Sequence, residues 1–521
     1  MKNKKALKKI CLAWLSIVCL LGVVIALFYV IENVSGRKAW ERYVKECEAK
    51  NQTAASDLEK TYLWIEDIIP PAVDEDKNFA NTPLFNAVFR GELNKWKDED
   101  TAKTWTALLD RKPWHWYTAP NYYHVQHTSF GSIVDEATGE RVQLSKEKGA
   151  QMICDKLEPC LASLKDIRQT LNEYPLCRYA LQYKDGFDMM LPHLGILKRI
   201  TDTATQRACA NQILGQSDKA AEDLLLAMDL GNTISGEPSM VSVLVRAVIY
   251  NSVLNVIWEG MESDSWTQEN LEQFQEKLKK VDFWNDMRLA LMADRAVMND
   301  CFQKDPRFLL SDFCSFRVTS YDSYSHDGWD MRAIKNIIPL GWCYRVMLEY
   351  NKVIDSTLAC FDTENKYIKA DLFPSVLKEL SDPVVWNIRG IPAGAIELFE
   401  RVEICKDYPK FIMKCSRAQS FINAAQVACA VERYHMENKK YPDSLAELGE
   451  LLPEDQLPRD WMINRPLQYH LTDAGYDIWS SGWNGTDEGG VRTLTAFGDK
   501  TSEDEGDWVW EITHASASNG K

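Results

Sequence analysis

A mainly α-helical protein held to a membrane by one N-terminal segment is the class this chain predicts, on three observations. An uncharged apolar run from Ile10 to Ile31 follows a lysine cluster. Apolar residues keep helical spacing through most of the body. After about residue 393 the pattern changes, with one long helix followed by alternating strands and glycine-rich turns.

Lys2, Lys4, Lys5, Lys8 and Lys9 precede the apolar run. Its twenty-two residues, at about 1.5 Å each, span roughly 33 Å as a helix, enough for a hydrocarbon core of about 30 Å. A cleaved signal peptide has a shorter run and a small-x-small site. Here Glu32-Asn33-Val34-Ser35-Gly36 follows, and no lipobox precedes Cys11 or Cys19. The expectation is a retained signal-anchor at residues 10–31 with a cytoplasmic basic tail at 1–9. The lysines orient it, which places the rest in the periplasm or another extracytoplasmic space at the inner membrane.

The 521 residues are 45% apolar and 26% charged, ordinary for globular protein. A formal charge of −16 repels phosphate and excludes nucleic acid as the main partner. Fourteen cysteines, two of them in the anchor, are too sparse for a disulfide scaffold, and no CxxC is present. Cys415 and Cys429 fall on one helix roughly 21 Å apart, too far to bridge.

Residues 36–139 read as a membrane-proximal helix over 36–66, with Trp40, Val44 and Cys47 inward, and then a docking segment. Pro70-Pro71 ends the helix, while Phe79, Leu84, Phe85, Val88 and Phe89 demand burial. The order of anchor, WERY helix, IPP and NFANTPLF resembles a family of bacterial single-pass membrane-anchored ectodomain proteins that has no assigned activity. Residues 140–392 read as an irregular helical ectodomain. Leu157, Leu161, Leu164, Ile167 and Leu171 keep helical spacing up to Pro175. Arg207–Leu230 reads as a helical hairpin of weakly tetratricopeptide-like type, with Ala208 and Leu214 before the Gly215 turn and Ala220, Leu224 and Ala227 after it. No sustained 34-residue period supports a solenoid. SYDSYSHDGWD (320–330) reads as an exposed loop, 333–362 as helix and 374–392 as irregular. The acid pair Glu222-Asp223 and the triplet Asp74-Glu75-Asp76 read as solvated faces.

Residues 393–521 read as a small α+β module. A helix from Lys410 to Asn438 places Phe411, Cys415, Ala418, Ile422, Ala425 and Cys429 on one face, with Arg417, Glu432 and Arg433 off it. Tyr441-Pro442 breaks the chain, and Ser444 with Glu447 offers a capping box for LAELGELL. Leu467–Leu471 and Tyr476–Ser480 alternate like strands around a TDAG turn. The succession AVERYHMENKKYPDSLAEL, LPRDWMINRPLQYH, YDIWSSGWNGTDEGG and GDWVW resembles the globular module of type II secretion major pseudopilins. That resemblance implies a helix ending in a Tyr-Pro turn, a small sheet, and a Gly/Asp loop that holds calcium. A pseudopilin carries its hydrophobic segment and a prepilin cleavage motif directly before the helix. Here the hydrophobic segment ends at residue 31 and the helix begins near 410.

Calcium takes six to eight oxygens on a backbone able to curl. Asn484 and Asp487 supply two oxygen-bearing side chains, and Asp504 and Asp507 follow, with Asp507 matching an acidic position near the end of the family loop. The other reading is a glycine-rich turn with solvated acids. WHWYTAPNYYHVQH holds His115, His124 and His127, a candidate zinc set for an envelope metal-dependent hydrolase, or else histidines hydrogen-bonded within aromatic packing. Its Trp114, Trp116, Tyr122 and Tyr123 offer a platform for a glycan ring. No GxSxG elbow, P-loop or dinucleotide fingerprint is present. The sequence therefore favours a membrane-anchored interaction or structural protein with a protein partner. A hydrolase and a glycan binder are the alternatives.

Overall fold

The computed structural model describes residues 2–54, 60–89, 92, 99–109, 132–134, 141–143, 145–308, 337–372, 407–494 and 501–514. These contain thirteen α-helices in chain order. The first six are α1 Lys2–Thr53, α2 Ile65–Ile68, α3 Pro83–Phe89, α4 Glu99–Leu109, α5 Lys146–Leu157 and α6 Leu161–Glu173. Then come α7 Pro192–Ile213, α8 Ser217–Asn232, α9 Met240–Glu262, α10 Gln268–Leu278, α11 Phe283–Lys304, α12 Leu340–Ala359 and α13 Tyr408–Asn438. Strands are short and antiparallel. Two-residue to three-residue pairs form β1 Ser132–Val134 with β2 Arg141–Gln143, β3 Phe361–Asp362 with β4 Tyr367–Ile368, and β5 Arg459–Asp460 with β6 Arg465–Pro466. Near the C-terminus lie β7 Gln468–Leu471, β8 Gly475–Ser480, β9 Arg492–Leu494, β10 Thr501–Gly506 and β11 Trp508–Thr513. The sheet order there is β11-β8-β7, and β9 pairs with β10.

The chain forms two compact units. The smaller comprises Met1–Ile68, Met292–Ala359 and Pro374–Tyr408; the larger comprises the rest.

In the smaller unit α1 and α12 run parallel, since their contacts advance in step. Tyr29 donates to the Ile337 carbonyl, Asn33 Oδ1 accepts from Gly341 N–H at 2.8 Å, and Tyr43 donates to Asp355 at 2.8 Å. Gly36 meets Gly341 so closely that a Cβ on either would overlap the facing backbone. Along α1 the apolar side chains from Ile10 to Phe28 are exposed, as are Val30 and Ile31. From Gly36 onward the pattern turns amphipathic, with Gly36, Trp40, Tyr43 and Cys47 buried. Tyr43 rather than Val44 takes the inward position, and the helix stops at Thr53 instead of running to residue 66. Buried Arg295 holds Asp355 at 2.8 Å, and Asn299 and Asn351 exchange amide hydrogen bonds. Burial raises the Asp294 carboxyl, which accepts from both Tyr350 and Tyr408.

The larger unit is built on the α7–α8 hairpin. Gly215 at φ +70° makes the turn that the sequence predicts, and Ala208, Ala220, Leu224 and Ala227 are fully buried. Docked on it, Phe79, Phe85 and Val88 share a core with Trp105, Leu157, Leu164, Ile167 and Leu197, as expected of the docking segment. Asp223 departs from expectation. Glu222 is solvated, but Asp223 is fully buried and clasped by Arg207 and Arg168, because α8 turns that side toward α7 and α6. The Asp74-Glu75-Asp76 triplet is exposed, as predicted.

Among the described residues, two helices are long and apolar enough to cross a membrane by length and composition, α1 and α9. Most of α9 is buried, and its Arg246 pairs with Asp286, donates to Asn232 at 2.9 Å and lies 4.7 Å from the Phe283 ring. A charged core helix of this kind belongs to the fold itself.

Helix α13 is where sequence and structure differ most. Its bounds match the prediction, yet it is buried on nearly every side from Phe411 to Glu432 rather than along one stripe. Small residues allow this: Ala418, Ala424, Ala425, Ala428 and Ala430 let neighbours close in all round. The β7–β8 hairpin closes around TDAG as expected, pairing Leu471 with Tyr476. LAELGELL forms a 3₁₀ turn, Leu445–Leu451, in place of an α-helix. Gly449 sits at φ +53°, and the Ser444 side chain makes no cap bond.

Candidate functional site

Three segments remote in sequence meet at one end of the C-terminal sheet. Helix α13 ends at Asn438 and Lys439 takes φ +57°. Tyr441 then folds back onto His435 of the last helical turn, rings stacked 4.1 Å apart. Strand β8 pairs with β11 as far as Gly475–Thr513, so His514 is the first residue beyond the sheet, its N–H bonded to Ala474 at 2.9 Å. On the third segment, α9 ends at Glu262, and Asp264 occupies the turn before α10 with φ +50°, a left-handed conformation that aspartate adopts more readily than most residues.

Each of Asp264, Glu432 and His514 brings one donor atom to within 4.8 Å of the other two. It is the one such grouping of three or more acidic, histidine or cysteine side chains among the described residues. His514 Nδ1 stands 3.6 Å from Asp264 Oδ2 and makes no hydrogen bond although it is buried. On the other side of the ring, Nε2 lies 2.6 Å from the Tyr441 hydroxyl. Glu432 Oε1 accepts from Tyr476 at 2.8 Å, with the Tyr441 hydroxyl at 3.4–3.5 Å from the carboxylate. The cluster runs from surface to interior: the Asp264 side chain is 69% exposed and that of His514 15%, while Glu432 is 3% exposed.

Burial pushes the Glu432 carboxyl up to about 7, aided by the Asp264 charge and opposed by the bonds from Tyr476 and Tyr441. Burial, together with the Glu432 and Asp264 charges, raises Tyr441 above the ordinary phenol range. Desolvation lowers His435. An Asp-His-Tyr line of this shape resembles a nucleophile relay, but such a relay needs an activated hydroxyl. Tyr441 is shifted the opposite way. The arrangement suits a role in binding more than one in proton transfer.

No family model, curated protein or solved structure matches this chain.

The predicted Gly/Asp loop joins β8 to β9. Gly482, Gly485, Gly489 and Gly490 all take positive φ, which confirms why the stretch is rich in glycine. Asp507, buried, is its hub. Oδ2 accepts from Gly490 N–H at 2.7 Å and Val491 N–H at 3.2 Å, and Oδ1 accepts from Glu488 N–H at 3.3 Å. Burial, opposed by the Gly490 and Glu488 N–H bonds and aided by the Glu488 carboxylate, pushes its carboxyl up to about 6. Asp487 Oδ1 accepts from Trp479 and Gly489, both at 3.0 Å. Asn484 Oδ1 accepts from Thr486 N–H at 3.0 Å, while its amide donates to Glu488 at 2.6 Å. Asp504 falls on β10, and its side chain lies outside the described residues. A calcium ion held by Asn484, Asp487 and Asp507 would share their oxygens with these N–H groups.

His115, His124 and His127 lie outside the described residues, as do Trp114, Trp116, Tyr122 and Tyr123. Residues 320–330 and 374–392 do too. A second polar cluster is fully internal. His193 Nε2 lies 3.0 Å from Glu237, which also accepts from Ser242, beneath the Tyr179 ring 4.1 Å away. Serine there faces the carboxylate rather than the imidazole, so the group lacks the nucleophile–base contact that catalysis requires.

Sequence reasoning passed over Asp264, Glu432 and His514 because each is alone in its own segment. The signal available was Glu432 itself, a carboxylate next to Val431 on a helix with apolar or small residues on every side.

Proposed function

We propose that this chain is a single-pass, membrane-anchored envelope protein whose extracytoplasmic body acts by binding another protein. One observation carries the anchoring: the end of the apolar segment is itself docked. Tyr29 bonds to Ile337, Asn33 to Gly341, and Glu32 accepts from Trp342 at 3.1 Å and pairs with Arg345 at 3.0 Å. Cleavage just after the apolar run would discard the Tyr29 bond and the Phe28–Trp342 ring contact, and would leave Glu32 and Asn33 at a newly made chain end. A removed signal sequence has no reason to build them. The lysine cluster supports a cytoplasmic N-terminus.

The same reading treats residues 393–521 as a module of pseudopilin-like type. Support comes from the succession of a long helix, the Tyr441-Pro442 turn, the β7–β8 hairpin and β11. The Gly/Asp loop would be its calcium-binding element. With its helix buried on nearly every side, such a module serves as a folded cap rather than as a subunit of a filament.

Membrane extraction followed by intact-mass measurement tests the anchoring. The expected outcome is a chain that retains its N-terminal segment, resists alkaline extraction, and becomes soluble when residues 2–31 are deleted. A soluble mature form beginning after residue 31 overturns the proposal.

A further inference from the structure

We infer that Asp264, Glu432 and His514 form a binding site for one divalent transition-metal cation of the zinc class, which staples the α9–α10 turn, α13 and the segment after β11 together. The inference is independent of the anchoring. It starts from the geometry of the donors. Ligands at about 2.0–2.2 Å from one zinc ion stand roughly 3.3 Å apart. Asp264 and His514 are already at 3.6 Å, and all three donor atoms fall within 4.8 Å. The exposed Asp264 side chain can complete the closure by a small rotation.

The second argument is the state of His514. A ligating imidazole as a rule has its other nitrogen fixed by a hydrogen bond that selects the tautomer. Nε2 is fixed here by Tyr441 at 2.6 Å, and the Tyr441 ring is held in turn by stacking on His435. When the Tyr441 proton points to Glu432, its oxygen accepts from Nε2–H and Nδ1 keeps a bare lone pair. That lone pair then faces the Asp264 carboxylate without a hydrogen between them, an arrangement that a cation relieves. The buried Nδ1 without a partner is what such a site predicts.

Charge and softness select the ion. Two carboxylates and a neutral imidazole carry −2, which balances a divalent cation in a site that runs from the surface to the interior. An imidazole donor suits zinc-class ions, whereas calcium and magnesium prefer sets made of oxygen alone. Three protein ligands leave a fourth position, and Asp264 lies on the solvent side of the cluster, so water fills it.

The test uses the full-length protein in detergent, stripped with chelator and titrated calorimetrically with Zn²⁺ alone. Co²⁺ provides a spectroscopic probe. Wild-type protein is expected to bind Zn²⁺ at this site, and Co²⁺ is expected to give visible d–d bands without a thiolate charge-transfer band. Asp264→Asn, at an exposed position, is expected to fold normally and lose at least tenfold in Zn²⁺ affinity. His514→Ala is expected to lose one equivalent outright. Wild-type protein that binds no Zn²⁺ overturns the inference, as does either variant that keeps full stoichiometry and affinity. Zinc held at the His115, His124 and His127 stretch instead would survive both substitutions and count against the site.

Discussion

The Gly/Asp loop and the Asp264–Glu432–His514 cluster both bury a carboxylate in the C-terminal part of the chain, and they treat it in opposite ways. Asp507 is surrounded by backbone N–H donors that curl toward it, so its charge is answered by the loop it organises. Glu432 receives hydroxyls from two tyrosines, and the histidine beside it keeps a nitrogen without a partner. Counting acids would rank the loop first. The loop, too, keeps buried polar atoms without a partner, Ser481 Oγ and Glu488 Oε2, so what singles out the cluster is the convergence of carboxylate and imidazole donors from three segments.

Substitution at the hub should separate the two most sharply. Asp507→Ala strands three N–H groups, so a loss of about 4 kcal/mol is expected in denaturant unfolding. A loss below about 1 kcal/mol would mean that the loop is not organised by this carboxylate.

The pH dependence of Glu432 comes next in size. Its carboxyl lies near 7 in the folded chain and near 4.3 when unfolded. Between those values the unfolded chain binds fewer protons, so this group lowers stability as pH rises from about 4 to about 7. In chelator, wild-type stability relative to Glu432→Gln should therefore fall by roughly 3 kcal/mol between pH 4 and pH 8. A difference that is flat with pH would show that Glu432 is well solvated or already paired. Asp264→Asn in chelator is expected to have the smallest effect, within about 0.5 kcal/mol of wild type by thermal unfolding, as suits an exposed side chain. A larger loss would make Asp264 a structural partner of His514 in its own right.

Elements defined by local pattern were legible in the sequence. Alternation around TDAG specified β7 and β8, Gly215 marked the turn between α7 and α8, and the aromatic residues around Phe79 and Phe85 announced a docked segment. The C-terminal glycines marked a tight loop, and Asp507 was named among its acids. Features set by tertiary surroundings were not legible. Asp223 looks solvated beside Glu222 until α8 packs its arginine partners against it. Tyr43 displaces Val44 because α12 brings Asp355 within reach. Glu432 gains meaning only when Asp264 and His514 arrive from segments with no periodicity or motif to flag them.

The continuity of α1 has a mechanical consequence. With Ile10–Ile31 in a bilayer, the same rod continues through Thr53, about 33 Å beyond the lipid at 1.5 Å per residue. The Gly36–Gly341 contact clamps it to α12. Rotation of the buried span about its long axis would be transmitted to the smaller unit as torque, without the slack a flexible stalk would introduce. Such a post would set which face of that unit looks along the membrane.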